Sequence, residues 1–76
     1  MQIDIAHVRG LLGHMWGLDR GLTQAEMAEA LRFGGHRPAA RLRDMEIGRD
    51  RITGPVSVAI EAMLEGYRPS HMRLEP

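Results

Sequence analysis

Arginine is the residue type in this sequence with the clearest capacity for binding chemistry. All ten basic residues are arginines, and none is a lysine. Six of them fall between positions 32 and 51, where three acidic residues oppose them: Arg32, Arg37, Arg41, Arg43, Arg49 and Arg51. The planar guanidinium donates two parallel hydrogen bonds to one pair of acceptors, which suits phosphate and guanine. The segment therefore predicts an anion-binding surface, with a solvated arginine-rich surface that has no partner as the alternative.

Charge in the rest of the chain has the opposite sign. The 76 residues include ten acidic ones, so the formal net charge is zero. Most of the acids lie outside the arginine-rich segment: Asp4, Asp19, Glu26, Glu29, Glu61, Glu65 and Glu75. We therefore expect an electrostatic dipole with one cationic face.

Composition also bears on the cellular setting. Because the chain has no cysteine, it can form neither a disulfide nor a thiolate metal site, and a reducing cytoplasmic location is expected. No apolar run approaches the roughly 18 residues needed to span a bilayer, so no membrane segment is expected. The N-terminal residues do not have the pattern of a signal peptide.

Residues for catalysis or metal binding are not evident in the sequence. His7 and His14 would lie roughly 10 Å apart along one helix, too far to share a metal ion without other ligands. There is no glycine-rich phosphate loop after a strand and no nucleophile elbow, and a chain this small has little room for a substrate pocket. We expect no enzyme activity, no cofactor and no small-molecule ligand.

The elements that must position the arginines are predicted to be helices. Near the start, apolar residues recur at i, i+3, i+4 and i+7, the spacing of one helical face: Val8, Leu11, Leu12 and Met15. A first helix is expected over about residues 4–17. Gly10, Gly13 and Gly17 each lower its stability by roughly 1 kcal/mol relative to alanine, which indicates a close crossing or a small interface.

A second helix is predicted to begin at Thr23. Thr23 and Glu26 have the spacing of a capping box, in which the hydroxyl and the carboxylate each accept a hydrogen bond from a free backbone N–H. Gly34 and Gly35 are expected to end this helix, because glycine is common just after a helix.

A third helix is expected over about residues 37–47. Pro38 suits its first turn and Gly48 suits its end, while Leu42 and Met45 define its buried side. Residues more than a quarter turn away from Leu42 form its outward face: Arg37, Ala40, Arg41, Arg43 and Asp44. Glu46 is expected to pair with an arginine and to fix the C-terminal end of this helix.

A fourth helix follows Thr53, Gly54 and Pro55, and Gly66 closes it. Its apolar stripe is Val56, Ala59, Ile60, Met63 and Leu64. Residues 67–76 have little periodicity and predict a flexible C-terminal tail, or an arm that a partner orders. No strand pattern appears, so the expected fold class is all-α, a compact four- to five-helix bundle.

Two motifs in this helical pattern resemble a known family. Residues 21–31, GLTQAEMAEAL, resemble the G-L-T-Q-x-x-L-A-x-x-L opening of the phage Cro and C1 repressor-like (XRE-type) helix-turn-helix family. Residues 45–48, MEIG, resemble its W-E-x-G segment, and residues 51–55, RITGP, resemble the lead into its next helix. The resemblance covers roughly residues 8–66 and departs at residues 32–37, where the turn is longer than is common in the family.

The resemblance implies a helix-turn-helix DNA-binding domain over residues 1–66. Helix three would enter the major groove and helix two would cross the backbone. The candidate base-reading residues are Arg37, Ala40, Arg41 and Arg43, with contacts to phosphate alone as the alternative. The candidate phosphate-binding residues are Thr23, Gln24, Arg32, His36, Arg49 and Arg51; in the family, the glutamine after the capping threonine commonly touches phosphate.

The short chain favours a two-fold dimer that reads an inverted repeat, with the two recognition helices about 34 Å apart. The candidate dimer surface is Ile60, Met63, Leu64 and Tyr67, and helix one is the second candidate. Small regulators of phages and mobile elements, including anti-CRISPR-associated autorepressors, are similar, so the expected function is a DNA-binding repressor acting at a promoter in the cytoplasm. The alternative is an antitoxin or inhibitor-type protein-interaction module that covers a partner protein.

Overall fold

The computed structural model describes residues 3–72, and those residues form four helices with no strand between them. The helices are α1 (Ile5–Met15), α2 (Gln24–Ala30), α3 (Pro38–Glu46) and α4 (Gly54–Leu64). The predicted all-α class and compact bundle are confirmed, with four helices. None of the described helices is both long and apolar enough to cross a bilayer.

The helix starts follow the local signals in the sequence. The predicted capping box is present: the Glu26 N–H donates to the Thr23 hydroxyl at 3.0 Å, and the Thr23 N–H donates to the Glu26 carboxylate at 2.8 Å. Asp4 caps α1 in a similar way by accepting from the His7 N–H at 3.1 Å. Proline occupies the first turn of both α3 and α4, where its missing N–H leaves no hydrogen bond unmade.

All four helices end in the same hydrogen-bond pattern, in which a residue with positive φ follows the C-cap. That residue is glycine after α1, α3 and α4, namely Gly17, Gly48 and Gly66. After α2 it is Arg32, with φ 60°. The Arg32 N–H donates to the Glu29 carbonyl and the Phe33 N–H to the Ala28 carbonyl, both at 3.0 Å. The prediction that Gly34 and Gly35 end α2 is therefore wrong, because Arg32 takes the glycine position and ends the helix earlier.

The core lies where the buried faces of the four helices meet. Each helix contributes apolar side chains to it: Ile5, Val8, Leu12, Met27, Ala28, Leu42, Met45, Ile60 and Met63. The predicted stripe of α1 is corrected, because Leu11 is 43% exposed and Met15 is 48% exposed. The buried face instead follows Ile5, Val8 and Leu12, and Leu11 lies about a quarter turn from that line.

Gly13 accounts for the close crossing expected on α1. The chain after α1 turns back across the helix, and the Leu22 N–H donates to the Arg9 carbonyl at 3.0 Å. A Cβ on Gly13 would overlap the Arg20 carbonyl and lie 2.5 Å from the Gly21 Cα, whereas a Cβ on Gly10 would meet nothing within 4 Å. Only one of these two glycines is therefore required by packing.

Residues after α4 pack against the bundle. Met72 is 6% exposed and belongs to the hydrophobic core, and Pro69 is buried. The His71 Nε2 lies 2.8 Å from the Glu29 carbonyl oxygen at the end of α2. Residues 69–72 of the predicted flexible tail therefore pack against the bundle, where Met72 fills an apolar site. Residues 73–76, the rest of that predicted tail, lie outside the described residues.

Candidate nucleic-acid interface

A hydrogen-bonded ion pair holds the C-terminal end of α3. The Arg9 Nε lies 2.7 Å from one Glu46 carboxylate oxygen, and its Nη2 lies 3.2 Å from the other. Arg9 also donates to the Leu22 carbonyl at 2.7 Å, and the Gln24 side-chain amide donates to Glu46 at 3.2 Å. The expectation that Glu46 pairs with an arginine is confirmed. The network joins α1, the start of α2 and the end of α3.

This network has an electrostatic consequence for the arginine-rich segment. The Glu46 side chain is only 8% exposed, and the cation that neutralises it, Arg9, comes from α1. A second acid of the segment, Asp50, accepts a hydrogen bond from the backbone N–H of Arg51 at 2.9 Å. Glu46 is therefore unavailable to the segment's own arginines.

The six arginines of the segment form what we call the arginine surface. All of them are exposed: Arg32, Arg37, Arg41, Arg43, Arg49 and Arg51. Within residues 3–72 the ion pairs are Arg9–Glu46 and Arg20–Glu26. None of the six therefore has a carboxylate partner in the described part of the chain, and their charge faces solvent.

Three residues of the arginine surface belong to α3 or cap it. Arg37 is the N-cap residue and has a left-handed backbone, with φ 55°. Arg41 and Arg43 follow along the helix on the two sides of the buried Leu42, each about 100° from it. The predicted outward face is thus exposed at its arginines. Ala40, the fourth candidate base-reading residue, is half-buried on the same helix.

The longer turn between α2 and α3 carries an aromatic contact that the sequence interpretation missed. The Arg41 guanidinium carbon lies 4.9 Å from the centroid of the Phe33 ring. Phe33 is half-buried and packs against the hydrophobic core. Eight positions and a turn separate the two residues, so no periodic pattern could have paired them. The one hint in the sequence was that Phe33 is an aromatic residue among arginines in the longer turn.

The other candidate phosphate-binding residues lie in two places. His36 is exposed in the turn before α3, next to Arg37, and Arg49 and Arg51 are exposed in the loop after it. Thr23 and Gln24 lie at the start of α2, where their side chains already make local contacts. The Thr23 hydroxyl accepts from Glu26 and keeps its own proton to donate, and the Gln24 amide keeps one further donor beyond its contact with Glu46.

The predicted dimer surface is only partly exposed. Ile60 and Met63 are each 1% exposed, so both pack inside the protomer and cannot contact a second copy. Their assignment to a dimer surface is wrong, because that face of α4 is covered by the rest of the bundle. Leu64 is 39% exposed and Tyr67 is 54% exposed, and Val58, which the sequence interpretation missed, is 65% exposed.

Comparison with known proteins adds no relative to this picture. No family model, curated protein or solved structure matches the chain. The resemblance of residues 21–31 and 45–48 to the Cro and C1 repressor-like family thus stays a prediction from those motifs. The same holds for the helix-turn-helix, for which the structure provides two consecutive packed helices, α2 and α3, joined by residues 31–37.

Proposed function

We propose that this chain binds double-stranded DNA through the arginine surface and acts as a dimeric transcriptional regulator, a repressor of its own promoter. One observation carries the proposal. All six arginines between positions 32 and 51 are exposed, and none has an ion-pair partner among residues 3–72. A concentrated, unpaired positive charge of this kind is the electrostatic pattern that binds phosphate backbones.

The placement of the arginines suits a duplex. Arg37, the N-cap residue of α3, precedes Arg41 by about one turn, and an α-helix fits the major groove, where arginine can donate to both acceptors of a guanine. Arg49 and Arg51 follow the helix in a loop, a position suited to the flanking phosphates. We therefore assign base reading to Arg37, Ala40, Arg41 and Arg43, and backbone contacts to the other arginines.

The start of α2 supports an orientation in which α3 lies in the major groove and α2 crosses the DNA backbone. Thr23 caps a helix whose first turn carries free backbone N–H groups and the positive end of the helix dipole. Gln24 lies beside it and is tied to Glu46 at the end of α3. The Thr23 hydroxyl and the remaining N–H of the Gln24 amide lie at this positive helix end as donors, which supports the phosphate-binding role proposed for Thr23 and Gln24.

A two-fold dimer on an inverted repeat is part of the proposal, with the protein located in the cytoplasm at the nucleoid. The remaining candidates for the dimer surface are Leu64 and Tyr67, together with Val58 on the same helix. On α1, the exposed pair Leu11 and Met15 offers a second surface. A protein of this size gains stability by covering such side chains.

Selection of duplexes from a random pool tests the proposal. We expect the wild-type protein to enrich an inverted repeat whose half-sites lie about 10 base pairs apart. Arg41→Ala is expected to relax base preference at one position, and Arg49→Ala to weaken all sequences alike. Arg68→Ala is the matched control, because Arg68 is exposed and lies outside the arginine surface. Failure to enrich any duplex would contradict DNA binding.

A second candidate function rests on the exposed apolar side chains. Leu11 and Met15 on α1, and Val58 on α4, are large and exposed, a pattern that marks protein interfaces when the residues are contiguous. In that case the chain would cover a partner protein, as an antitoxin or inhibitor does. Salt dependence separates the functions, since binding to phosphates weakens steeply as salt is added, whereas binding to a protein through an apolar patch does not.

A further inference from the structure

We propose that Phe33 is a positioning residue that holds the Arg41 guanidinium ready to read one guanine in the major groove. The proposal rests on the DNA-binding function proposed above and adds a residue that the arginine surface does not include. The observation behind it is that the Arg41 guanidinium carbon lies over the Phe33 ring, at 4.9 Å from the ring centroid.

The Phe33 ring is a fixed platform. Its side chain is half-buried and packs against the hydrophobic core. Its backbone is fixed as well, because the Phe33 N–H donates to the Ala28 carbonyl at 3.0 Å in the pattern that ends α2. The left-handed conformation of Arg32, with φ 60°, turns the chain sharply just before the ring. Core packing and helix termination together set where the ring lies.

Arg41 keeps its binding capacity while it is stacked. A cation–π contact takes up none of the hydrogen-bond donors of the guanidinium, because the ring face attracts its charge and its five N–H donors point outward in the plane of the group. Arg41 is exposed and makes no ion pair within the described residues. An arginine otherwise loses much side-chain freedom when it binds a base. Stacking restricts that freedom before DNA arrives, which favours a planar, two-bond contact with guanine.

Arg41 differs in this respect from its neighbours on α3. In the described part of the chain, Arg41 over Phe33 is the cation–π pair that forms, and neither Arg37 nor Arg43 lies over a ring. We therefore infer that Arg41 contributes the sharpest base preference of the three. The side chains of Arg37 and Arg43 lie over no ring, so they keep more conformational freedom until they contact the groove.

The test uses a duplex that the wild-type protein selects from a random pool, with the guanine position assigned by its loss in Arg41→Ala. Phe33→Leu keeps an apolar side chain but removes the ring, and Phe33→Tyr keeps the ring. We expect Phe33→Leu to lower discrimination at that guanine by roughly two- to fivefold, the range of an exposed cation–π contact. Discrimination elsewhere and the salt dependence are expected to stay unchanged, and Phe33→Tyr is expected to behave like the wild type.

A measurement on the free protein tests the geometry separately. Protons of the Arg41 δ-methylene should show an upfield ring-current shift in NMR spectra, which Phe33→Leu removes and Phe33→Tyr preserves. If Phe33→Leu proves too unstable to study, Phe33→Met takes its place, since methionine fills the volume without a ring.

The possible outcomes are distinct. Equal loss for every sequence in Phe33→Leu, or unchanged discrimination at the guanine, overturns the role of Phe33 and leaves DNA binding intact. If the wild-type protein binds no duplex, both the proposed function and the reader role are wrong, and the ring-current shift then reports only a structural contact. Local loss of guanine preference together with loss of the shift supports the proposal.

Discussion

The two ends of α3 are held in different ways. At the C-terminal end, Glu46 is nearly buried and receives hydrogen bonds from Arg9 and Gln24, and Gly48 turns the chain without strain. At the N-terminal end, Arg37 has a left-handed backbone and an exposed side chain. The C-terminal end of the helix is therefore fixed by the fold, while the N-terminal end is exposed and carries unpaired charge. Positions where stability is sacrificed in this way are common at binding sites.

The largest effect is expected from breaking the fixed end. Glu46→Ala leaves Arg9 without its carboxylate, and we expect the free energy of unfolding to fall by about 2–4 kcal/mol. The figure lies below that for a fully buried pair because the Arg9 side chain is 22% exposed. Urea unfolding followed by circular dichroism measures the change. Glu61→Ala, at an exposed carboxylate, is the control, and an equal effect of the two variants would show that the network does not hold α3.

A second, smaller effect concerns the chain segment that Arg9 binds. Gly13→Ala would push residues 20–22 away from α1, and we expect a loss of about 1–3 kcal/mol, as for an overpacked core. Gly10→Ala is the matched control on the same helix: it meets nothing, so we expect a gain of up to about 1 kcal/mol from better helix propensity. Unfolding midpoints that shift in the same direction for both variants would argue against the close crossing.

A third effect concerns Arg32, in the turn that leads from α2 to the exposed end of α3. Arg32 takes the position after the C-cap where the other three helices have glycine. We expect Arg32→Gly to stabilise the fold by about 0.5–1 kcal/mol, because it removes the cost of a left-handed conformation at a residue with a Cβ. Arg32→Ala removes the same charge and keeps that cost, so it should bring no gain. Both variants should lower the salt slope of DNA binding by about 0.9 if Arg32 binds a phosphate. Equal thermal stability of the two would contradict the strain.

The smallest effect is a pH dependence at the start of α2. The hydrogen bond from Arg20, with those of the capping box, lowers the pKa of Glu26 to about 2. A carboxyl whose pKa is lower in the folded state stabilises the protein above its unfolded pKa, near 4.3, and that contribution is lost as the pH falls toward about 2. Glu26→Gln should flatten the stability curve in this window, and Glu29→Gln should not. The effect is expected to be small because the pair lies near the surface.

The sequence predicted what local chemistry determines. The starts of α2, α3 and α4 followed from Thr23, Glu26 and the first-turn prolines, and the ends of α3 and α4 followed from Gly48 and Gly66, whereas Gly17 was expected inside the first helix. The end of α2 did not follow from glycine, because Arg32 adopts a conformation that favours glycine, and residue type alone does not reveal such an exception. The identity of the arginine that pairs with Glu46 was also beyond prediction, since Arg9 lies 37 positions away.

In the candidate site, too, local features could be predicted from the sequence, whereas contacts between distant residues could not. Exposure of the arginines on α3 followed from their angle to Leu42, a local property of one helix. The contact between Phe33 and Arg41 depends on how the inserted turn folds, so spacing could not predict it. The stripe on α4 did not reveal whether its apolar side chains face the same chain or a second copy, and Ile60 and Met63 proved to face the same chain.

The salt dependence of binding to duplex DNA is the decisive test of whether the arginine surface binds phosphates. For a duplex with a single half-site, labelled with a fluorophore and titrated at several salt concentrations, we predict that log K falls linearly with log salt, with a slope of about −4 to −5 if one subunit neutralises four to six phosphates. Replacing Arg32, Arg49 and Arg51, the arginines assigned to the phosphate backbone, by alanine should reduce that slope by about 2–3, and Arg68→Ala should leave it unchanged. An affinity that does not vary with salt, or a slope that the triple variant leaves unaltered, would contradict the account.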